Sequence, residues 1–334
     1  MSKKILAIWA HPYTDFTPEN LDAQVDALFE RYVRAGISVY LPFLTEDGDA
    51  YYRSDILRTK HDYLETILKY SNKYKIKVYP LFGFGKLGAI CEGRTYQAYV
   101  PEGLDEQYPV GRSVCASWKN NQEDVVCLIR EVLDRYPLEG IQLDYFRYPN
   151  MSFEADYPCE CQACCERRKP WLGHDKLTEA DRRNPSVMYK EIAQKNQNIL
   201  RALKRVSSMV KGQGKTLTLA ARARYLEDAV YEGQDWRRFA HEGYFDMIFP
   251  MSYNTCKDRF QRFLTDHHRL LEGSDTLWIA GVGKQSSLSD LTTDAFIEQI
   301  QMAIAEGAEG VCIFSHKGMT ESDFVSLEKI RDIS

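Results

Sequence analysis

No stretch of this sequence approaches 18 consecutive apolar residues, so nothing in it reads as a membrane-spanning helix. A basic excess is also missing. Lys and Arg number 43 against 48 Asp and Glu, a net charge of −5, which argues against a protein that lives on nucleic acid. A neutral or carbohydrate-like ligand is compatible with that charge. No Pro-, Gly- or Ser-rich linker divides the chain, so one domain over 1–334 is expected. The N-terminal apolar run, Ile5 to Ala10, is too short for a signal peptide and reads as a first strand. The cytoplasm is then the default location, a removed leader aside. Tryptophan is scarce, with 5 residues against 21 Tyr. Tyrosine suits sugar sites because its ring packs on C–H faces while its hydroxyl bonds, although most of these rings are expected in the core.

What the chain has in plenty is a repeated pattern of short apolar runs, each followed by a helical periodicity. Strands are expected at Ile5–Trp9, Ser38–Phe43, Lys75–Phe82, Gly140–Asp144, Thr216–Ala221, Asp246–Met251, Thr276–Val282 and Gly310–Phe314. Between them lie helical stretches such as Leu21–Arg34, whose apolar positions Leu21, Val25, Leu28, Phe29 and Tyr32 share one face. Eight β-then-α units in order predict an α/β protein, a (β/α)8 TIM barrel, rather than a doubly wound sheet. Long connections follow strands two, three and four, at 44–56, 83–118 and 149–188. In such barrels the βα loops build the active-site face, and unusual length there points to function.

Strand four ends on Asp144. A carboxylate at the last position of a barrel strand points into the mouth, where it can move a proton or attack an anomeric carbon. The plainer alternative is a loop brace with Arg147. Glycoside hydrolysis usually takes two carboxylates, and the partner is not obvious from the sequence. Glu227, in the loop after strand five, and Glu92, after strand three, rank ahead of Glu46, Asp47 and Asp228, all of which also read as solvated loop charges. Asp235 reads as a helix N-cap before Trp236. Candidate substrate-binding residues sit at or just after strand ends: Trp9, His11, Tyr145, Arg147, Arg222, Tyr253, Asn254 and His316. Arg222 suits an acidic sugar or a pairing with Asp144, and such a pairing would favour a nucleophile over an acid.

Three separated motifs resemble the family 10-like group of glycosyl-hydrolase-like barrel proteins. Gly48-Asp49-Ala50-Tyr51-Tyr52-Arg53-Ser54 is similar to that group's Gly-x-Ala-x-Tyr-x-Ser. The stretch from Gly140 to Pro149 resembles its Gly-Ile-His-Leu-Asp-Tyr-Ile-Arg-Tyr-Pro, with Gln142 in place of His. Gln234-Asp235-Trp236 and Pro250-Met251-Ser252-Tyr253 resemble its Gln-Asp-Trp and Pro-Met-x-Tyr segments. The resemblance implies a barrel glycosidase acting on an oligo- or polysaccharide, with no cofactor needed for catalysis. A more distant similarity is to chitinase-like barrels, whose strand four ends Asp-x-Asp-x-Glu; Phe146 stands at the position of that Glu, so the chitinase acid is missing. Two other readings stay open, a non-catalytic carbohydrate-binding barrel and a barrel hydrolase of another bond that uses a metal at the cysteine loop.

The metal question comes from Cys159-Glu160-Cys161-Gln162-Ala163-Cys164-Cys165, inside a cysteine-containing insertion at about 149–188. Cys161 and Cys164 have Cys-x-x-Cys spacing, but a second such pair is absent. Structural zinc on Cys159, Cys161, Cys164 and Cys165, with Cys115 or His174 able to complete it, stands beside free thiols and disulfides. A loop so rich in thiolates suits a closed site rather than a catalytic one.

Overall fold

The computed structural model of the chain describes residues 4–91, 93–97, 114–149 and 158–330. Parallel strands β1 (Ile5–Ala10), β2 (Val39–Pro42), β3 (in two pieces, Lys77–Val78 and Leu81–Phe82), β4 (Gly140–Leu143), β5 (Thr216–Ala221), β6 (Met247–Pro250), β7 (Leu277–Gly283) and β8 (Gly310–Phe314) form one curled sheet. β1 pairs with both β2 and β8, and pairing runs in order from β4 to β8. The first piece of β3 pairs with β2 and the second with β4. The two ends of the sheet are therefore consecutive pieces of one run, joined by Tyr79 and Pro80. Pro80 has no N–H for a ladder, which is why the strand is interrupted there. Its carbonyl still accepts from Gln142 N at 3.0 Å, and Tyr79 N donates to Tyr40 O at 3.0 Å. The result is a (β/α)8-like fold.

Among the described residues, eight of the helices alternate with the strands: α1 (Leu21–Arg34), α2 (Tyr63–Tyr74), α3 (Lys119–Arg135), α4 (Pro185–Gly212), α5 (Trp236–His241), α6 (Lys257–Leu271), α7 (Thr293–Ala305) and α8 (Glu321–Ile330). Local chemistry sets several of their ends. Asp62, Asn184, Asp235 and Thr292 accept backbone N–H groups at the N-termini of α2, α4, α5 and α7. α2 starts only at Tyr63, because residues 45–59 form a small three-stranded sheet of Thr45–Glu46, Asp49–Ala50 and Arg58–Thr59. None of the helices is long and apolar enough to cross a membrane among the described residues.

Strand alternation divides the core in two. Ala7, Trp9, Leu41, Phe43, Tyr79, Leu81, Ala220, Phe249, Tyr253, Ile279 and Cys312 pack inside the curl of the sheet. Ile8, Tyr40, Val78, Ile141, Leu143, Leu219, Ile248, Val282 and Ile313 face outward, against the helices. This period of two decides which strand-end residues reach the mouth.

Candidate active site

Asp144 follows Leu143 and is 7% exposed. Two residues earlier, Gln142 Oε1 accepts from Trp9 Nε1 at 2.6 Å in the interior of the sheet, so alternation puts Asp144 on the same side, one layer nearer the mouth. Gln142, which stands where the family 10-like motif has His, is thus a buried partner of Trp9, and its Nε2 has no partner among the described residues. The loop around Asp144 is tightly built. Asp144 N donates to Phe82 O at 3.0 Å, Asp144 Oδ1 accepts from Tyr145 N at 2.6 Å, and Tyr145 O accepts from Phe84 N at 3.2 Å. Tyr145 sits at φ 51°, in the left-handed region. The residue is 41% exposed, and its ring lies under the Arg147 guanidinium at 4.8 Å.

Arg147 joins two carboxylates. Its Nη1 lies 3.6 Å from Asp144 Oδ1, and its Nε lies 2.9 Å from Glu232 Oε2. Arg222, at the end of β5, reaches the same Glu232 oxygen at 3.3 Å and Asp228 at 3.3 Å. Glu232 is 4% exposed, and burial raises its carboxyl above the usual range despite the two guanidiniums. Nothing in its local sequence singled Glu232 out. Its place follows from the turn after β5, where Tyr148 N donates to Glu232 O at 2.8 Å and ties the Asp144 segment to that turn.

Of the other expected carboxylates, Asp228 borders this network through Arg222. Glu227 is paired with Arg224 at 2.6 Å and its side chain is 62% exposed. Glu92 falls outside the described residues. Glu46 accepts from Tyr13 Oη at 3.0 Å. Asp235 caps α5, accepting from Arg238 N.

Trp9, His11 and Tyr253 form an aromatic lining with two residues not anticipated, Phe43 and Phe314. His11 stacks on Phe43 at 4.4 Å, and Tyr253 stacks on Phe314 at 5.1 Å. Trp9 meets Phe249, Tyr253 and Phe314 at 6.1–6.3 Å. The Tyr253 hydroxyl has no partner among the described residues, and burial, then Cys312 and Asp144, push its pKa well up. Inward alternation along β2 and β8 is the signal that could have found Phe43 and Phe314.

Two residues expected to touch ligand make contacts within the protein. Asn254 Oδ1 accepts from Cys256 N at 2.8 Å, shaping the turn into α6. His316 opens a 3-10 turn that breaks the alternation of β8, so its ring meets Tyr32 of α1 edge-on at 5.8 Å. Burial lowers its pKa to about 4. The motifs of the sequence resemblance also brace the frame. Ser54 Oγ donates to Glu131 at 2.7 Å. Gln234 Oε1 accepts from Arg222 N at 2.9 Å, and Trp236 Nε1 donates to Arg222 O at 3.1 Å.

The cysteines gather differently from the expected set. Sγ atoms of Cys115, Cys159, Cys161 and Cys164, all buried, lie within 4.8 Å of one another and could hold a metal ion. Cys165 is not among them; its thiol donates to Glu160 O at 3.3 Å. The reason is helical geometry. Cys164 and Cys165 are successive residues of the helix Gln162–Leu172, about 100° apart around its axis, so one cluster takes only one of them. His174 is likewise elsewhere, 2.7 Å from Asp181.

No protein-family model matches the sequence, and no curated protein matches it. Solved structures do. The glycoside hydrolase domain of PgaB (BpsB) from Bordetella bronchiseptica superposes with a TM-score of 0.77 at 13% identity, covering 99% of this chain and 98% of that one. The likeness is one of fold. α-L-Fucosidase isoenzyme 2 from Paenibacillus thiaminolyticus gives 0.63 at 14% identity, over 99% of this chain and 49% of that one. β-Galactosidase from Bacillus circulans sp. alkalophilus gives 0.68 at 13%, over 98% of this chain and 55% of that one. This chain therefore spans about half of those two enzymes and nearly all of the PgaB domain.

Proposed function

We propose that the chain works as a single barrel unit and is a glycoside hydrolase acting on an oligo- or polysaccharide, with Asp144 as nucleophile or general acid. The observation that carries this reading is a buried carboxylate at the mouth end of a barrel strand, on the side of the sheet that carries the aromatic lining. His11 and Phe314, the two half-buried rings of that lining, offer faces for sugar C–H groups, over a floor of buried Trp9, Phe43 and Tyr253. Supporting it are solved structures with the same fold that are glycosidases, and the motif resemblance to the family 10-like group. The chemistry runs on carboxylates and calls for no cofactor.

Glu232 is the partner this network offers. A single guanidinium, that of Arg147, separates it from Asp144, and its raised pKa suits a proton carrier. Its tight hold between Arg147 and Arg222 favours a second reading, a barrel that binds carbohydrate without cleaving it.

A panel of chromogenic glycosides and natural glycans, assayed with wild type, Asp144→Asn and Glu232→Gln, separates the two. The glycosidase reading expects a substrate turned over by wild type and about 10²–10⁴-fold more slowly by Asp144→Asn. Equal turnover by both sinks the role of Asp144. Saturable glycan binding with no turnover by any form supports the binding barrel.

A further inference from the structure

We propose that Cys115, Cys159, Cys161 and Cys164 bind one zinc ion that clamps the loop after β3 to the loop after β4. The site is independent of the glycosidase reading. The sulfurs are close enough for a tetrathiolate site. With Zn–S distances of about 2.3 Å, sulfurs at the corners of a tetrahedron lie about 3.8 Å apart, and Cys115 Sγ lies 3.7 Å from Cys164 Sγ. All nine cysteines are free of disulfides. Four thiols packed together in a buried place gain little from one another, since S–H is a weak donor and sulfur a weak acceptor. A dication gives that packing a physical cause.

The surroundings are built for negative sulfur. Gln97 N donates to Cys159 Sγ at 3.3 Å, Cys161 N to the same sulfur at 3.4 Å, and Ser117 N to Cys115 Sγ at 3.5 Å. Ser117 Oγ lies 3.1 Å from Cys164 Sγ. Such outer contacts orient thiolate ligands and stabilise their charge. Arg167 and Arg168 both pair with the one carboxylate of Glu191, which leaves a positive charge over beside the cluster. Arg168, fully buried, also donates to Cys159 O at 2.5 Å. A zinc tetrathiolate carries two negative charges, and this excess cation offsets part of them. Each thiol loses its proton to solvent as the ion binds.

The ligands come from two loops. Cys115 precedes α3, and its N donates to Arg94 O at 3.2 Å; Glu160 N donates to Gln97 O at 2.7 Å across the seam. Cys161 and Cys164 open the helix Gln162–Leu172, where a separation of three residues puts both sulfurs on one side. From the cluster, Ser117 Oγ reaches Tyr148 Oη at 3.1 Å, and Asn198 Nδ2 holds both oxygens, at 2.9 and 2.7 Å. Tyr148 lies four residues after Asp144, so the clamp steadies the segment that carries it.

The test is metal analysis of the purified wild-type chain after extensive desalting, with about one zinc per chain expected. Cys161→Ser should lose the zinc, and Cys165→Ser should keep it. Independently of how Cys161→Ser folds, wild type is titrated with an organomercurial, which should release the zinc as four thiols react. Cobalt substitution should give the intense visible bands of a tetrahedral thiolate site, and stripping the metal should lower Tm by about 10 °C or more. Metal-free protein, iron in place of zinc, release uncoupled from thiols, or zinc lost from Cys165→Ser and kept by Cys161→Ser would each overturn the proposal.

Discussion

His267 shows how one buried side chain ties stability to pH. The ring is fully buried, its Nε2 lies 2.8 Å from Ala223 O, and its Nδ1 lies 3.4 Å from Ser252 Oγ. A carbonyl only accepts, so Nε2 carries the proton. Burial lowers the pKa from 6.5 to about 4. The unfolded chain therefore takes up a proton below about pH 6.5 that the folded chain refuses until about pH 4. The stability this ring contributes is fully present above pH 6.5 and is lost as pH falls towards 4, to a limit of about 3 kcal/mol. His316 behaves in the same sense. In thermal melts, His267→Gln should show a smaller loss of Tm than wild type between about pH 7 and pH 5. An unchanged pH slope would remove His267 from the explanation.

Elements β3 and β4 meet where the Asp144 loop is made, and the meeting depends on a missing side chain. A Cβ on Gly83 would sit 1.6 Å from Asp144 O, and one on Gly85 would sit 2.9 Å from Tyr145 Cβ. Both contacts are with the adjacent loop rather than with the far end of a flexible side chain, so the backbone itself has to move. Gly83→Ala is expected to destabilise the fold by at least about 1–3 kcal/mol, the ordinary range for overpacking. It should also lower kcat on any substrate that the wild type cleaves, because Asp144 shifts with its loop. Gly212→Ala, at the end of α4 with open space around it, is the control and should be neutral to slightly stabilising. Denaturant melts of the two variants compare them directly; a neutral Gly83→Ala would refute the close-approach argument.

Across the whole molecule, the cysteine-bearing insertion is held to the barrel by a buried ion cluster as well as by its thiols. Glu191 of α4 takes Arg168 at 2.9 Å and Arg167 at 2.8 Å, with Glu191 and Arg168 at most 4% exposed in their side chains. Removing the carboxylate strands two cations in a low-dielectric place, which costs about 3–5 kcal/mol. Glu191→Gln should lower the denaturation midpoint accordingly. Replacing Arg167, Arg168 and Glu191 together with apolar residues should recover much of the loss, because buried pairs gain little over good apolar packing. If the insertion is integral to the barrel, Glu191→Gln melts in one transition; a separate early transition would mark the insertion as its own unit.

Much of this architecture was legible as pattern. Eight apolar runs alternating with helical periodicity gave eight strands and eight helices in the expected order, because burial on a strand or a helix face leaves a local period in the chain. The position of Asp144 at a strand tip was equally local, as was the N-cap role of Asp235. What only the assembled chain decided was which distant residues meet. Glu232 joins Asp144 because Arg147 and Arg222, 75 positions apart in sequence, converge on it. Cys115 displaces Cys165 from the thiol cluster because a helix turns neighbouring side chains apart while two loops bring remote ones together. His316 leaves the mouth, and Phe314 lines it, because one turn ends the alternation of β8. Asp144 could be read from its own strand, but its setting is made by segments far along the chain, and local periodicity carries no record of them.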